Sequence, residues 1–173
     1  RGFDPLSIIT SWTGCEGQIR DFQLHRWSVE VKTTHGNNQG RVQINGERQL
    51  DTFNMDKLFL YHVSVEARQN AGENLNQVVA SISERLSHNF IALKRFQTKL
   101  LTGGYFDRHR DLYASTGYFL RREAFYQVTG TFPRIEQKDL RTGVTDVKYS
   151  ITLTGCNEFV KSEQEVFQEI QFL

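Results

Sequence analysis

The chain has 173 residues, a length that suits one domain with its own hydrophobic core. Its 21 lysines and arginines balance 20 aspartates and glutamates, and the resulting net charge of +1 excludes a histone-like or tail-type nucleic-acid binder. No apolar run approaches the ~18 residues of a membrane span, and no signal peptide is recognisable. Cys15 and Cys156 are too few and too far apart for a disulfide scaffold or a zinc module. We therefore expect a cytoplasmic protein.

The first part of the chain predicts β-structure. Residues 7–10 suit a short strand. Two β-prone runs, 21–24 and 27–33, flank His25 and Arg26, and this arrangement predicts a tight hairpin.

A polar loop, residues 36–40, separates this hairpin from a further predicted strand at 41–44. Asn45 is expected to cap a short helical turn that carries Gln49. The apolar run 58–65 predicts a central buried strand, reached from 41–44 by a short parallel crossover.

The middle of the chain is helical in pattern. Apolar residues at helical spacing predict a helix over 75–86, and a second helix begins at Asn89 and ends at the Gly103-Gly104 pair. Later elements are expected at 118–128 (strand), 147–153 (strand) and 158–170 (helix). This order predicts an α/β domain with a central mixed sheet flanked by helices.

The most informative segment is the predicted hairpin, because its register brings two acidic residues together. A turn at His25 and Arg26 places Asp21 directly opposite Glu30 on the neighbouring strand. Side chains alternate along a strand, so Lys32 lies on the same face as Glu30, about 6.6 Å further along. Two carboxylates and an ammonium group are therefore expected to meet on one face.

This arrangement is unfavourable for stability alone. Two like charges about 5 Å apart repel by on the order of 3 kcal/mol at an effective dielectric constant near 20. A favourable cross-strand pair contributes only about 0.2 to 1 kcal/mol. A divalent cation reverses the sign, because Mg²⁺ prefers carboxylate oxygens and accepts phosphate oxygens and water as further ligands. Lys32 beside it can hold a water molecule or stabilise charge that develops on phosphorus.

The spacing of Asp21, Glu30 and Lys32 resembles the active-site signature of the PD-(D/E)XK superfamily, the restriction-endonuclease-like nucleases. More closely, the sequence resembles the PD-(D/E)XK proteins of bacterial restriction-type defence operons. The distinctive matches are Arg20-Asp21-Phe22, residues 29–34 and Gln49-Leu50-Asp51, with looser similarity at 126–134 and 144–153.

The resemblance implies a fold, an activity and a site. It implies a nuclease-like core at 1–102, without the family's first helix, and a C-terminal strand and helix extension at 103–173 that packs on the same domain. It also implies a DNA endonuclease of a prokaryotic restriction or defence system that uses Mg²⁺ or Mn²⁺ and leaves a 5′-phosphate. Within the site, Asp21 and Glu30, with the Val31 carbonyl, are the implied metal ligands, Lys32 the catalytic lysine and Gln49 an accessory polar residue.

Two departures from the family pattern affect this hypothesis. Arg20 stands where the nominal motif has proline. The family's core begins with a helix that often supplies another acid, and residues 1–20 leave no room for it beside the strand at 7–10. We therefore expect the chain to be a fragment of a longer protein, with Glu16 as a candidate substitute acid.

Alternative interpretations of the same residues remain open. The acidic pair and Lys32 could form an ordinary solvated face. The fold could serve a non-catalytic DNA-binding or complex-assembly module that works with other proteins of a defence operon, or a nuclease that acts on RNA. His62 is expected to be a hydrogen-bonded core residue. The basic residues are expected to be a solvated surface; they are Lys94, Arg95 and Lys99 on the polar side of the second helix, Arg108-His109-Arg110 and Arg121-Arg122.

Overall fold

The structure of the protein, a computed structural model, describes residues 4–36 and 40–171. Within that part, the strands are β1 (Phe22–Leu24), β2 (Trp27–His35), β3 (Arg41–Ile44), β4 (Lys57–Gln69), β5 (Glu73–Asn74), β6 (Thr116–Gln127), β7 (Tyr149–Thr152) and β8 (Val160–Lys161). The helices are α1 (Pro5–Ser11), α2 (Leu75–Arg85), α3 (Phe90–Thr102), α4 (Arg110–Ala114) and α5 (Glu163–Gln171). The middle of the predicted polar loop, residues 37–39, lies outside the described residues.

A six-stranded mixed sheet forms the centre of the molecule. Its strands follow the order β1-β2-β4-β6-β5, and β8 pairs with a second part of β6. Strands β2 and β4 run parallel, whereas the other neighbouring strands of this sheet are antiparallel. Helices flank the sheet, which confirms the predicted α/β class with a restriction-endonuclease-like arrangement.

The two faces of the sheet carry separate cores, because side chains alternate along each strand. On one face, Trp27, Val29 and Phe59 pack against Val166 and Ile170 of α5. The opposite face packs against a small second sheet, in which β3 pairs antiparallel with β7. The core between the two sheets includes Val42, Ile44, Leu50, Leu58, Leu60 and Ile151. Glu30 and Lys32 belong to this second face, because they pair in register with Leu60 and His62.

The strand predicted at 7–10 is wrong, since α1 occupies these residues, and the expectation that residues 1–20 hold a strand and no helix is wrong with it. Asp4 caps the helix: its carboxylate accepts hydrogen bonds from the Ser7 backbone N–H and hydroxyl at 2.9 and 2.8 Å. Pro5 occupies the first helical position, where its fixed φ favours a helix. These start signals outweigh the β-propensity of the isoleucines that follow.

The predicted crossover from 41–44 to the central strand is also wrong. Strand β3 leaves the central sheet, and β4 pairs with β2 instead. In β3 only the alternate residues Val42 and Ile44 are buried, whereas Arg41 and Gln43 are exposed. A strand with one apolar face suits a covering layer rather than a central position that is buried on both sides.

The last helix begins at Glu163 rather than at residue 158. Ser162 and Glu165 explain the shift: the Ser162 backbone N–H donates to the Glu165 carboxylate at 2.8 Å, and the Glu165 N–H donates to the Ser162 hydroxyl at 3.2 Å. This reciprocal capping box fixes the helix start. The preceding residues form a 3₁₀ turn and β8.

Residues beyond 103 contribute a central strand, because β6 pairs along most of β4. The division into 1–102 and 103–173 stays a prediction. None of the described helices is long and apolar enough to cross a membrane.

Candidate functional site

The hairpin places Asp21 next to the Glu30 strand. Strands β1 and β2 pair in the predicted register, with Phe22 opposite Val29 and Leu24 opposite Trp27. One further step along this register sets Asp21 against Glu30. The Asp21 carboxylate oxygen Oδ2 accepts a hydrogen bond from the Val31 backbone N–H at 2.8 Å, which fixes the carboxylate at the end of β1.

Glu30 is a buried carboxylate, with only 2% of its surface exposed. Its Oε1 lies 2.6 Å from Lys32 Nζ. Burial raises the pKa of Glu30 to about 7; Lys32 opposes the rise, and the negative charge of Asp21 adds to it. Asp21 is therefore close enough to Glu30 for the two charges to interact, as expected from the hairpin.

Gln49 joins the same group of side chains. Lys32 Nζ donates to the Gln49 side-chain oxygen Oε1 at 3.0 Å. The same oxygen accepts from the Asn45 backbone N–H at 2.9 Å. Gln49 ends the predicted turn, a 3₁₀ helix at Glu47–Gln49, but Asn45 does not cap it, because Gly46 occupies the N-cap. Asn45 contributes its backbone N–H, which orients the glutamine.

Arg20 has a structural role that the sequence did not reveal. Its buried guanidinium donates to the backbone carbonyl oxygens of Arg48, Gln49 and Asp51 at 2.9, 3.0 and 2.5 Å. Burial lowers the pKa of Arg20, and the charges of Asp51 and Glu30 oppose this change. Arg20 therefore ties the Gln49 turn to the residue that precedes Asp21. A charged residue next to a predicted ligand was the only available signal.

Gly14 also escaped prediction. The backbone N–H groups of Thr13 and Gly14 donate to the Asp21 carbonyl at 2.8 and 3.0 Å. A Cβ atom on Gly14 would lie 2.4 Å from Asp21 Oδ1 and 3.0 Å from Asp21 Cα. Only glycine allows this close approach, so Gly14 helps to determine where the Asp21 carboxylate lies.

Glu16, the candidate substitute acid, is engaged elsewhere. Its carboxylate lies 3.2 Å from Lys99 Nζ. Lys99 is 2% exposed and also donates to the Thr10 carbonyl at 3.1 Å, so its expected place on a solvated surface is wrong. In the described part of the chain, no three histidine, cysteine, aspartate or glutamate side chains form a group that could hold a metal ion. Glu16 therefore does not complete a three-acid cluster with Asp21 and Glu30.

The donors at this site nevertheless fit a hard cation. Asp21 and Glu30 offer carboxylate oxygens from neighbouring strands. The Val31 N–H points toward Asp21, and the N–H and C=O of one strand residue point to the same side, so the Val31 carbonyl faces Asp21 as well. Mg²⁺ commonly takes one or two carboxylates and keeps several waters, so a three-acid cluster is not needed. A cation would also favour the ionised form of the buried Glu30 carboxyl.

His62 is a hydrogen-bonded core residue, as expected, because its Nε2 lies 2.9 Å from the Thr34 hydroxyl and the residue is buried.

Residues 2–154 match the model of a protein family described as "Putative PD-(D/E)XK family member, (DUF4420)". Neither the curated proteins nor the solved structures gave a significant match to the chain. The family match covers the hairpin, the Gln49 turn and the central strands of the sheet. Because it spans most of the sequence, the chain belongs to this PD-(D/E)XK family, in agreement with the resemblance found in its sequence.

Proposed function

We propose that the protein is a metal-dependent DNA phosphodiesterase. The observation that supports this best is the buried Glu30 carboxylate, which is ion-paired with Lys32 and also experiences the negative charge of Asp21. A structural ion pair needs no second acid, and the second acid raises the cost of ionising Glu30. The superfamily consists largely of nucleases, which favours DNA as the substrate. A role in a prokaryotic restriction-type defence system is part of the proposal and rests on the sequence resemblance alone.

In the proposed mechanism, Asp21, Glu30 and the Val31 carbonyl would hold Mg²⁺ or Mn²⁺. The bound ion would supply Lewis-acid polarisation of the scissile phosphate and a lowered pKa for a bound water. Val31 and Gly14 would orient the Asp21 carboxylate through the contacts described above.

Lys32 would orient the attacking water and stabilise negative charge on phosphorus. An ammonium group has three N–H donors, and two are directed at Glu30 and Gln49, which leaves one for a water or a phosphate oxygen. Gln49 would act as a positioning residue, because it accepts from Lys32 and fixes the direction of the remaining donor. Attack by water on phosphorus would break the bond to the 3′ oxygen and leave a 5′-phosphate and a 3′-hydroxyl.

The test is cleavage of supercoiled plasmid DNA in Mg²⁺ by the purified protein and by two variants, Asp21→Asn and Lys32→Met. We expect each variant to lose activity by about 100-fold or more, as is usual when an electrostatic catalytic group is removed. Lys57→Met is the matched control, because Lys57 also lies on a central strand and ion-pairs with a glutamate, Glu169, at 2.8 Å. Its activity should equal that of the wild type.

Undiminished cleavage by both site variants would refute the proposal. Calorimetry with Mg²⁺ and Mn²⁺ tests the metal site separately, and Glu30→Gln should weaken the binding. A protein that binds DNA but no metal would instead support a non-catalytic module. An RNA of matched sequence, assayed in parallel, would show whether the activity is restricted to DNA.

A further inference from the structure

A polar cleft lies on the same sheet face as the acidic pair. Its volume is about 560 Å³, and its lining includes His62, Ser64, Arg122, Tyr126 and Thr154. His62 pairs in register with Lys32 on the neighbouring parallel strand. Neighbouring strands lie about 4.8 Å apart, so the cleft begins one strand away from the proposed catalytic lysine.

A β-bulge gives this cleft two consecutive arginines. The β4–β6 register shifts between Ser64 and Val65, which pair with Arg122 and Leu120, so Arg121 is the additional residue. In a regular strand, Arg121 and Arg122 would point to opposite faces, yet both line the cleft.

The two arginines differ in their partners. Arg121 is ion-paired with Glu66, which also lines the cleft. Arg122 is exposed, and its side chain forms no ion pair or hydrogen bond within residues 4–36 and 40–171. Burial lowers the pKa of His62, and the positive charge of Arg122 lowers it further. Burial raises the pKa of Tyr126, and the charge of Arg122 opposes that rise. Arg122 is therefore an available cation above two buried polar side chains.

Tyr126 adds a polar group to the cleft. The residue is only 5% exposed, but its hydroxyl is not among the buried side-chain atoms that lack a hydrogen-bond partner. It forms no hydrogen bond within the described part of the chain, so it is open to the cleft. This hydroxyl belongs to a residue that lines the cleft, where a ligand can supply a hydrogen-bond partner.

We propose that the cleft binds a single nucleotide, with its phosphate on Arg122 and Tyr126 and its sugar and base against Val65 and Leu153. A guanidinium fork matches the geometry of phosphate oxygens. The volume lies within the range of small-molecule sites and far exceeds what one phosphate would fill. Val65 and Leu153 add apolar walls that suit a sugar and base.

The proposal deepens the proposed nuclease function and rests on it for the source of the ligand. One strand away from Lys32, the cleft would hold a nucleotide of the cleaved strand next to the scissile phosphate. A nucleotide seated in such a cleft must be unstacked from a duplex. The preferred substrate would then be single-stranded or locally unpaired at this position.

The test is calorimetric titration of the full chain in EDTA, so that neither a metal nor turnover contributes. The probes are thymidine 5′-monophosphate, thymidine and inorganic phosphate. We expect the nucleotide to bind about tenfold or more tightly than either fragment, and Arg122→Gln to weaken its binding by about tenfold. Tyr126→Phe should weaken binding while preserving the ring in the core. Arg108→Gln, a substitution outside the cleft lining, is the matched control.

Equal binding of inorganic phosphate, or nucleotide binding that Arg122→Gln leaves unchanged, would overturn the proposal. A short single-stranded thymidine oligonucleotide should compete with the mononucleotide, and a fully paired hairpin should not. Failure of the oligonucleotide to compete would overturn the assignment to the substrate strand. Asp21→Asn should bind the nucleotide as the wild type does. Absence of nucleotide binding in the cleft can therefore be distinguished from absence of metal binding at Asp21 and Glu30.

Discussion

Glu30→Gln should change how the stability of the protein depends on pH. In the folded state, burial raises the pKa of Glu30 to about 7, whereas its usual value is 4.5. Below pH 4.5 the carboxyl group is protonated in both the folded and the unfolded chain. As the pH rises from 4.5 to 7, the unfolded chain releases this proton while the folded chain retains it. Stability from this group is therefore lost across that window.

The size of the effect follows from the difference between the two pKa values. Each pKa unit corresponds to about 1.36 kcal/mol, so the folded state loses about 3 kcal/mol by pH 8. Glutamine has no such dependence. The free energy of unfolding of the wild type should therefore fall by about 3 kcal/mol relative to Glu30→Gln between pH 4.5 and pH 8.

Urea denaturation in EDTA at several pH values measures this difference. Glu136→Gln is the matched control, because Glu136 is also a buried glutamate. Burial opposes its ionisation, but hydrogen bonds from Lys138, Thr52 and Arg134 prevail and hold the pKa of Glu136 at about 2. Its contribution should therefore be constant from pH 5 to pH 8 and fall only at lower pH. If the free energies of unfolding of the wild type and Glu30→Gln changed in parallel with pH, Glu30 would ionise normally in the folded state, and the reasoning would be refuted.

The same urea denaturation, repeated with Mg²⁺ in place of EDTA, tests for metal binding. At pH 8, Mg²⁺ at 100 times its dissociation constant should stabilise the wild type by about 2.7 kcal/mol. Glu30→Gln should gain much less. Equal stabilisation of both proteins would exclude Glu30 as a ligand.

Two further predictions concern the residues that support the site. Gly14→Ala should displace the Asp21 carboxylate and weaken Mg²⁺ binding by about tenfold or more in calorimetry, whereas Gly155→Ala, which meets no atom within 4 Å, should have no effect. Arg20→Met should lower the free energy of unfolding by about 3 kcal/mol, because three backbone carbonyls lose a charged donor. Arg26→Met, which removes an exposed ion pair, should cost less than about 1 kcal/mol, and equal losses for the two arginines would contradict the role assigned to Arg20.

The sequence predicted the parts of the site that depend on local geometry. A two-residue turn fixes the hairpin register, so Asp21 opposite Glu30 follows from chain connectivity. The common face of Glu30 and Lys32 follows from strand alternation. Their contact with Gln49 depends on how the chain returns after β3, and it was anticipated only through the family resemblance.

The elements that were missed depend on tertiary contacts or on competing local signals. Arg20 acts on carbonyls 28 to 31 residues away, and no pattern near Arg20 specifies those partners. The separate sheet of β3 and β7 joins segments that lie about a hundred residues apart, so its pairing could not be derived from either strand alone. The errors at α1 and α5 have a different cause. The signals that start these helices, the Asp4 N-cap and the Ser162–Glu165 capping box, were visible in the sequence.

Lys32 connects the stability of the fold with the proposed chemistry. Without a cation, its ammonium group is the main charge that offsets the burial of Glu30. In the proposed mechanism, Asp21 and Glu30 would hold a cation that also offsets the charge of Glu30, and Lys32 would direct its remaining N–H donor at a water or a phosphate oxygen. Gln49 keeps Lys32 in place, since its side-chain oxygen remains an acceptor with or without the cation. The high pKa of Glu30 would then be a consequence of burying one carboxylate of a cation site, and its cost to folding would be greatest when the cation is absent.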